Sequence, residues 1–227
     1  CNFEKPQQNE PSLLTLRDVE TLFHEFGHAL HGLLSKTTYR YFSGPNVHWD
    51  FVELPSQILE NWVSEKECLD LFAAHYQSGE KIPASLIEKI VSARSFMEGL
   101  ATLRQLNLAT LDLKLHSDNV TDTKDLEKKV NQEFSFFPES NFLIAPTFSH
   151  LFAGGYSAGY YSYKWAEVLE ADAFNEFKKN GLFDKSTSQK SKTLLALGGT
   201  KDPEKLYKEF IADLPSVLPL MKRAGFL

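Results

Sequence analysis

The most legible chemistry in the chain is one short stretch, His24-Glu25-Phe26-Gly27-His28, which has the form HExxH. On an α-helix, four positions turn about 400°, so His24 and His28 leave nearly the same face and can offer two imidazole nitrogens to one metal ion. Glu25 stands about 100° from His24, near enough to take a proton from a water at that metal without being a ligand itself. This donor set predicts a single zinc ion, which needs a third protein ligand and one position left open for chemistry. Leu22, Phe23, Phe26 and Leu30 flank the motif. An apolar helix rarely carries that many ionisable groups unpaired, which favours the metal over a solvated polar stripe.

Three acidic residues further on, Asp50, Glu53 and Glu60, are candidates for the third ligand. A continuation with glycine three residues after the second histidine and a third histidine three later is excluded, because His31 and Leu34 occupy those places. Glu53 is the choice, since it lies at a helix entrance among apolar residues, in Asp50-Phe51-Val52-Glu53-Leu54-Pro55-Ser56-Gln57. Glu60, seven positions on, shares that face if the helix continues through Pro55. It then either hydrogen-bonds a ligating histidine or is an ordinary surface glutamate. His48, His75 and His116 have no ligand spacing to anything else and read as surface or packing residues.

The elements that must position these groups are mostly helical. Thr15 can cap a helix, with Asp18 as its partner three residues on, and apolar residues from Leu16 to Leu34 recur at helical spacing. Thr37 to Phe42 reads as a short strand or extended segment, followed by a turn at Ser43-Gly44-Pro45-Asn46. A second helix is expected over 54–77, and a long helical tract runs from Pro83 to about His116 with a break near Gly99. A charged helix over 123–134, an irregular aromatic connection over 135–148, and helices over 160–179 and 203–211 complete the expectation, with a short turn or helix after Pro215. The fold class is mainly α with at most a small sheet. Gly154-Gly155-Tyr156-Ser157-Ala158-Gly159 is a glycine-rich loop. It lacks the preceding strand and Lys-Ser/Thr pair of a phosphate cradle, so it reads as a loop carrying Tyr156 over a cleft or as a helix-initiating turn.

Composition narrows the class. Lys plus Arg is 24 against 30 for Asp plus Glu, a net charge of -6 with no basic cluster, which disfavours nucleic acid as a partner. No run of apolar residues is long enough to span a bilayer. Two cysteines, Cys1 and Cys68, make no CxxC pair and no disulfide framework, so a reducing cytoplasmic setting is expected. The chain starts at Cys1 and opens on a polar, proline-containing stretch, which reads as a piece of a longer protein.

Three ordered segments resemble the thimet oligopeptidase family of zinc metallopeptidases, a family that includes oligopeptidases and peptidyl-dipeptidases. They are Phe23 to His31, Trp49 to Trp62, and Ser149-His150-Leu151-Phe152-Ala153-Gly154-Gly155-Tyr156 through Tyr163-Lys164-Trp165. The resemblance covers essentially all of residues 1–227 and implies the C-terminal catalytic portion of a longer metallopeptidase. It further implies that His24, His28 and Glu53 bind zinc and that Glu25 is the general base. His150, Tyr156 and Tyr163 would face the metal across the cleft to hold substrate or stabilise the tetrahedral intermediate, with Tyr160 nearby. The expected partners are short peptides, cut internally or as C-terminal dipeptides, and the full-length protein is expected to be a monomer. A non-catalytic peptide- or metal-binding module, or a truncated and incompetent fragment, is the alternative.

Overall fold

The computed structural model describes residues 1–8, 10–134, 136 and 143–227. Of the connection expected over 135–148, residues 135 and 137–142 lie outside the described residues. The first long helix, α1, spans Leu16–Leu33. Thr15 and Asp18 close the reciprocal capping box: the Thr15 hydroxyl accepts from the Asp18 N–H at 3.2 Å, and the Asp18 carboxylate accepts from the Thr15 N–H at 2.9 Å. The stretch from Thr37 to Phe42, expected to be a short strand or extended segment, forms no strand; Tyr39 is extended, and Arg40–Phe42 is a single 3₁₀ turn. No strand among the described residues offers a ladder to it, and a lone extended segment would leave its backbone groups unpaired. Among the described residues the only β pairings are two isolated bridges, Gln7 with Glu10 and Ala74 with Lys81. The fold is mainly α.

The helix expected over 54–77 is segmented. Helix α2 covers Trp49–Val52 and α3 covers Leu54–Glu60, with Glu53 between them, still in helical backbone geometry at φ −87° and ψ −6°. Pro55 occupies the first turn of α3, where its missing N–H costs nothing. Asn61–Ser64 then tightens to 3₁₀, Glu65 turns extended, and α4 covers only Lys66–Phe72. Asn61 breaks the run by giving its side-chain amide to the Ile58 carbonyl at 3.1 Å and to Glu170 Oε2 at 2.5 Å. Helices α5 (Ala84–Arg94) and α6 (Glu98–Ser117) follow, and they part at Ser95 to Met97 rather than at Gly99, with Met97 in the left-handed region at φ 61°.

Helix α7 spans Thr123–Phe134, a 3₁₀ turn spans Ser149–Leu151, and α8 spans Ser162–Asn180. Helix α9, Lys185–Leu197, is not anticipated by hydrophobic spacing, because its first turns are serine, threonine and lysine; Asp184 caps it by accepting from the Thr187 N–H at 2.7 Å. Helices α10 (Pro203–Ile211) and α11 (Leu218–Arg223) close the chain. The main core lies around α8. Trp62 sets its ring edge-on to Phe174 and Phe177 at 4.8 and 4.9 Å, amid Phe51, Leu54, Leu169, Leu195 and Phe210. A smaller cluster of Leu111, Val130 and Leu151 ties α6 and α7 to the turn before the glycine loop.

The packing that matters for the site is α1 on α3. A Cβ placed on Gly27 would stand 2.2 Å from the Pro55 carbonyl oxygen and 2.5 Å from Ser56 Cα, so the two helices meet backbone to backbone. Gly27→Ala is expected to destabilise the fold by about 3 kcal/mol, because the obstacle is main chain and cannot rotate away; a melting temperature equal to the parent's would refute the close approach. A turn further along α1, His31 is fully buried, and neither ring nitrogen has a hydrogen-bond partner among the described residues. Burial, helped by the charge of nearby His28, holds its pKa down to about 4, against an ordinary 6.5. Neutral in the fold, His31 takes up a proton on unfolding below pH 6.5. Its contribution to stability is therefore present above that pH and is lost as the pH falls to about 4. Urea unfolding between pH 7 and 4 should show a slope that His31→Leu flattens; the same slope in both proteins would exclude His31 as its source.

Candidate metal centre

Helix α1 projects His24 and His28 from one face, and the backbone contact at Gly27 brings the α2–α3 junction beneath them. Glu53 Oε2 lies 3.4 Å from His24 Nε2 and 3.2 Å from His28 Nε2. Each of the three residues has a donor atom within 4.8 Å of the other two's, in the one such cluster among the described residues. Of the three acidic candidates, Glu53 joins the pair, Glu60 sits behind His24, and Asp50 stands apart from the cluster.

Glu53 is 2 % exposed and has a partner for both oxygens. Tyr156 donates its hydroxyl to Oε1 at 2.7 Å, while Ser56 donates to Oε2 at 2.8 Å. Burial alone would raise its pKa, but hydrogen bonds from His28, Tyr156 and Ser56 outweigh it and bring the carboxyl down to about 2. Glu60 Oε1 lies 2.7 Å from His24 Nδ1, which places the ring proton there when the imidazole is neutral. His24 Nε2 is then a lone pair aimed at a carboxylate oxygen. Two electron-rich atoms at that distance need a cation. Burial would depress the His24 pKa, yet Glu60, Glu53 and Glu25 together raise it, the same electrostatic demand in another form.

Spacing agrees with that demand. A tetrahedral zinc with bonds of 2.0–2.1 Å holds its donors about 3.3 Å apart, close to the two contacts to Glu53. Glu25 is exposed beside this cluster, near enough to His24 and Tyr163 for its charge to raise the pKa of each. It is the acidic group of the motif that no other described residue engages.

The glycine loop closes over the other side. Tyr156 stacks on Tyr163 with ring centres 4.9 Å apart and lies 4.6 Å from Trp49. His150 stacks on Phe148 at 4.9 Å and has Tyr156 and Tyr160 at 6.0 and 6.2 Å. Gly155 adopts φ +82°, and a Cβ there would meet the Trp49 ring at 3.4 Å. Asp112 fixes the loop: fully buried on α6, it accepts the Ala158 N–H at 3.0 Å and the Tyr160 N–H at 2.9 Å. Ala158 is held at φ 57°, a strained geometry that those bonds stabilise. Burial first of all pushes the phenol of Tyr156 well above its ordinary pKa and raises that of Tyr163, so both remain proton donors at neutral pH.

Residues 1–226 match the family model described as Peptidase family M3. The chain belongs to peptidase family M3. It is 47% identical over 240 residues to a probable cytosolic oligopeptidase A of Arabidopsis thaliana, covering 100% of this chain and 34% of that relative. It is 40% identical over 232 residues to oligopeptidase A and 36% identical over 234 residues to dipeptidyl carboxypeptidase, both of Escherichia coli, each covering 99% of this chain and 34% of the relative. The chain thus spans about a third of the length of these curated relatives.

Several residues of this M3 site escaped the reading from sequence. Ser56 and Gln57 lay inside the segment noticed for Glu53, and Gln57 donates its amide to the Tyr163 carbonyl at 3.3 Å. Asp112, an acid among leucines, carried a signal that was available: a buried charge needs a purpose. His116, read only as a surface or packing residue, sits with Nδ1 3.1 Å from Asp112 Oδ1 and so backs up the loop. His75 accepts from the Ser78 N–H, and His48 precedes α2 without capping it. Glu60→Gln should lower zinc affinity about 10- to 100-fold, by removing the carboxylate that orients His24. Competition against a chelator measures this, and unaltered affinity would mean that the 2.7 Å contact does not orient the ligand.

Proposed function

We propose that this chain holds one zinc ion through His24, His28 and Glu53 and hydrolyses peptide bonds of short peptides, acting as an oligopeptidase or peptidyl-dipeptidase. The observation that carries the reading is the convergence of those three donors with Glu25 left free beside them. Membership of peptidase family M3 and relatives named oligopeptidase A and dipeptidyl carboxypeptidase support it.

When bound, zinc supplies Lewis acidity, lowering the pKa of water toward neutrality and polarising a carbonyl. Glu25 accepts the proton of the attacking water and later returns it to the departing amine, so that one carboxylate acts as base and then acid. Tyr163 is the first donor assigned to the oxygen on which charge develops, and His150 the second. Tyr156 helps in a different manner, since its hydroxyl already binds Glu53 and so fixes that ligand. Ser56 and Glu60 hold Glu53 and His24 in register before any substrate arrives.

The same reading takes the protein to be a monomer acting on peptides in the cytoplasm, with a cytosolic relative in its favour. No helix among the described residues is long and apolar enough to cross a membrane. Glu25→Gln should retain zinc stoichiometry while hydrolysis of an internally quenched peptide falls by about 10²- to 10⁴-fold. Undiminished turnover would remove Glu25 from the mechanism, and loss of zinc would make it a ligand instead.

A further inference from the structure

Helix α3, which begins directly after Glu53, walls with α6, α8 and α11 a polar cavity of about 350 Å³. Gln57, Glu60, Arg104, Gln105 and Lys164 are among its lining residues. It adjoins the metal centre at two points. Glu60 binds His24 and also lines the opening around that histidine, and Gln57 binds the Tyr163 carbonyl.

Four acids and four bases line this cavity, but they are not paired one to one. Glu60 faces His24. Glu167 and Glu98 lie 2.6 and 3.8 Å from Lys164, and Glu170 is paired with Arg223. Arg94 turns to Glu20 at 3.5 Å. Arg104 remains: it is exposed, lines the cavity, and makes no ion pair or hydrogen bond with any described residue. The side-chain oxygen of Gln57 is buried in the same wall and lacks a donor. A guanidinium without an acceptor and an amide oxygen without a donor together complement a carboxylate attached to a peptide N–H.

Arg104 is also placed toward the catalytic tyrosines. Leu108 and Ala109, the next turn of α6, pack against Tyr160, whose ring lies 5.2 Å from Tyr163. Burial raises the pKa of the Tyr160 phenol, and Arg104 and Gln105 beside it pull it back.

We infer that Arg104 binds a carboxylate of the peptide substrate in this cavity, the terminal carboxylate or an acidic side chain, with Gln57 accepting a backbone N–H. The inference deepens the peptidase reading and rests on it. A fluorescent peptide is titrated by anisotropy against the zinc-loaded Glu25→Gln protein in three forms: free acid, C-terminal amide, and amide with one internal Glu. The acid form or the Glu form should bind about tenfold more tightly than the neutral amide. Arg104→Ala should abolish that preference while matching the parent in thermal melting, and Arg104→Lys should keep part of it. Preference for the free acid assigns the terminus, and preference for the internal Glu assigns a side chain. Equal affinity for all three forms, a preference that survives Arg104→Ala, or no binding of any form overturns the inference. Turnover by the unaltered chain is measured alongside. Hydrolysis without a preference sinks this inference alone, whereas a preference without hydrolysis sinks the peptidase reading alone.

Discussion

The candidate metal centre depends on the distance between two backbones. With no Cβ on Gly27, α1 settles onto the Pro55 carbonyl and Ser56, and only at that separation does the Glu53 carboxylate reach both imidazoles. A methyl group would push the helices apart by a margin comparable with the difference between a ligand and a bystander. Tight main-chain packing also makes the arrangement stiff, because backbone has no rotamers with which to absorb a displacement.

Around that contact the polar groups are paired in layers. Ser56 and Tyr156 each occupy one oxygen of Glu53, and Glu60 occupies the inner nitrogen of His24. Three atoms converge on one place: the Nε2 atoms of two histidines and Glu53 Oε2, whose negative charge is held firmly by its neighbours. Such a set is unfavourable by itself and favourable around a cation. Glu25 differs from Glu53 in having no hydrogen-bond partner among the described residues, and it stays exposed beside the cluster.

The other half of the site comes from a distant part of the chain and is held by a different device. Asp112 reaches from the interior of α6 to two N–H groups of the glycine loop, stabilising the left-handed turn at Ala158 that presents Tyr156, Tyr160 and Tyr163. The carboxylate is fully buried and its cost is offset by those bonds and by His116. Metal-side geometry is thus set by helix packing and tyrosine-side geometry by one buried acid, so a change in either need not disturb the other.

The sequence by itself determined the elements whose information is local: the capped first helix, the common face of His24 and His28, the nearly all-helical class, and the glycine loop. It also carried the family, since the three motifs resembling zinc oligopeptidases fall in a chain that belongs to peptidase family M3. Only tertiary structure decided what depends on contacts between segments. The stretch from Thr37 to Phe42 forms no strand and turns into 3₁₀ at Arg40–Phe42, and the helix over 54–77 broke where Asn61 spent its side chain on Glu170. The apolar flanks of Glu53 singled it out over Asp50 and Glu60, but its distance from both imidazoles follows from how closely α3 approaches α1. Asp112 stands out in the sequence as an acid among leucines, but which loop it holds was not legible, for a hydrogen bond across 46 residues leaves no periodic trace in the chain.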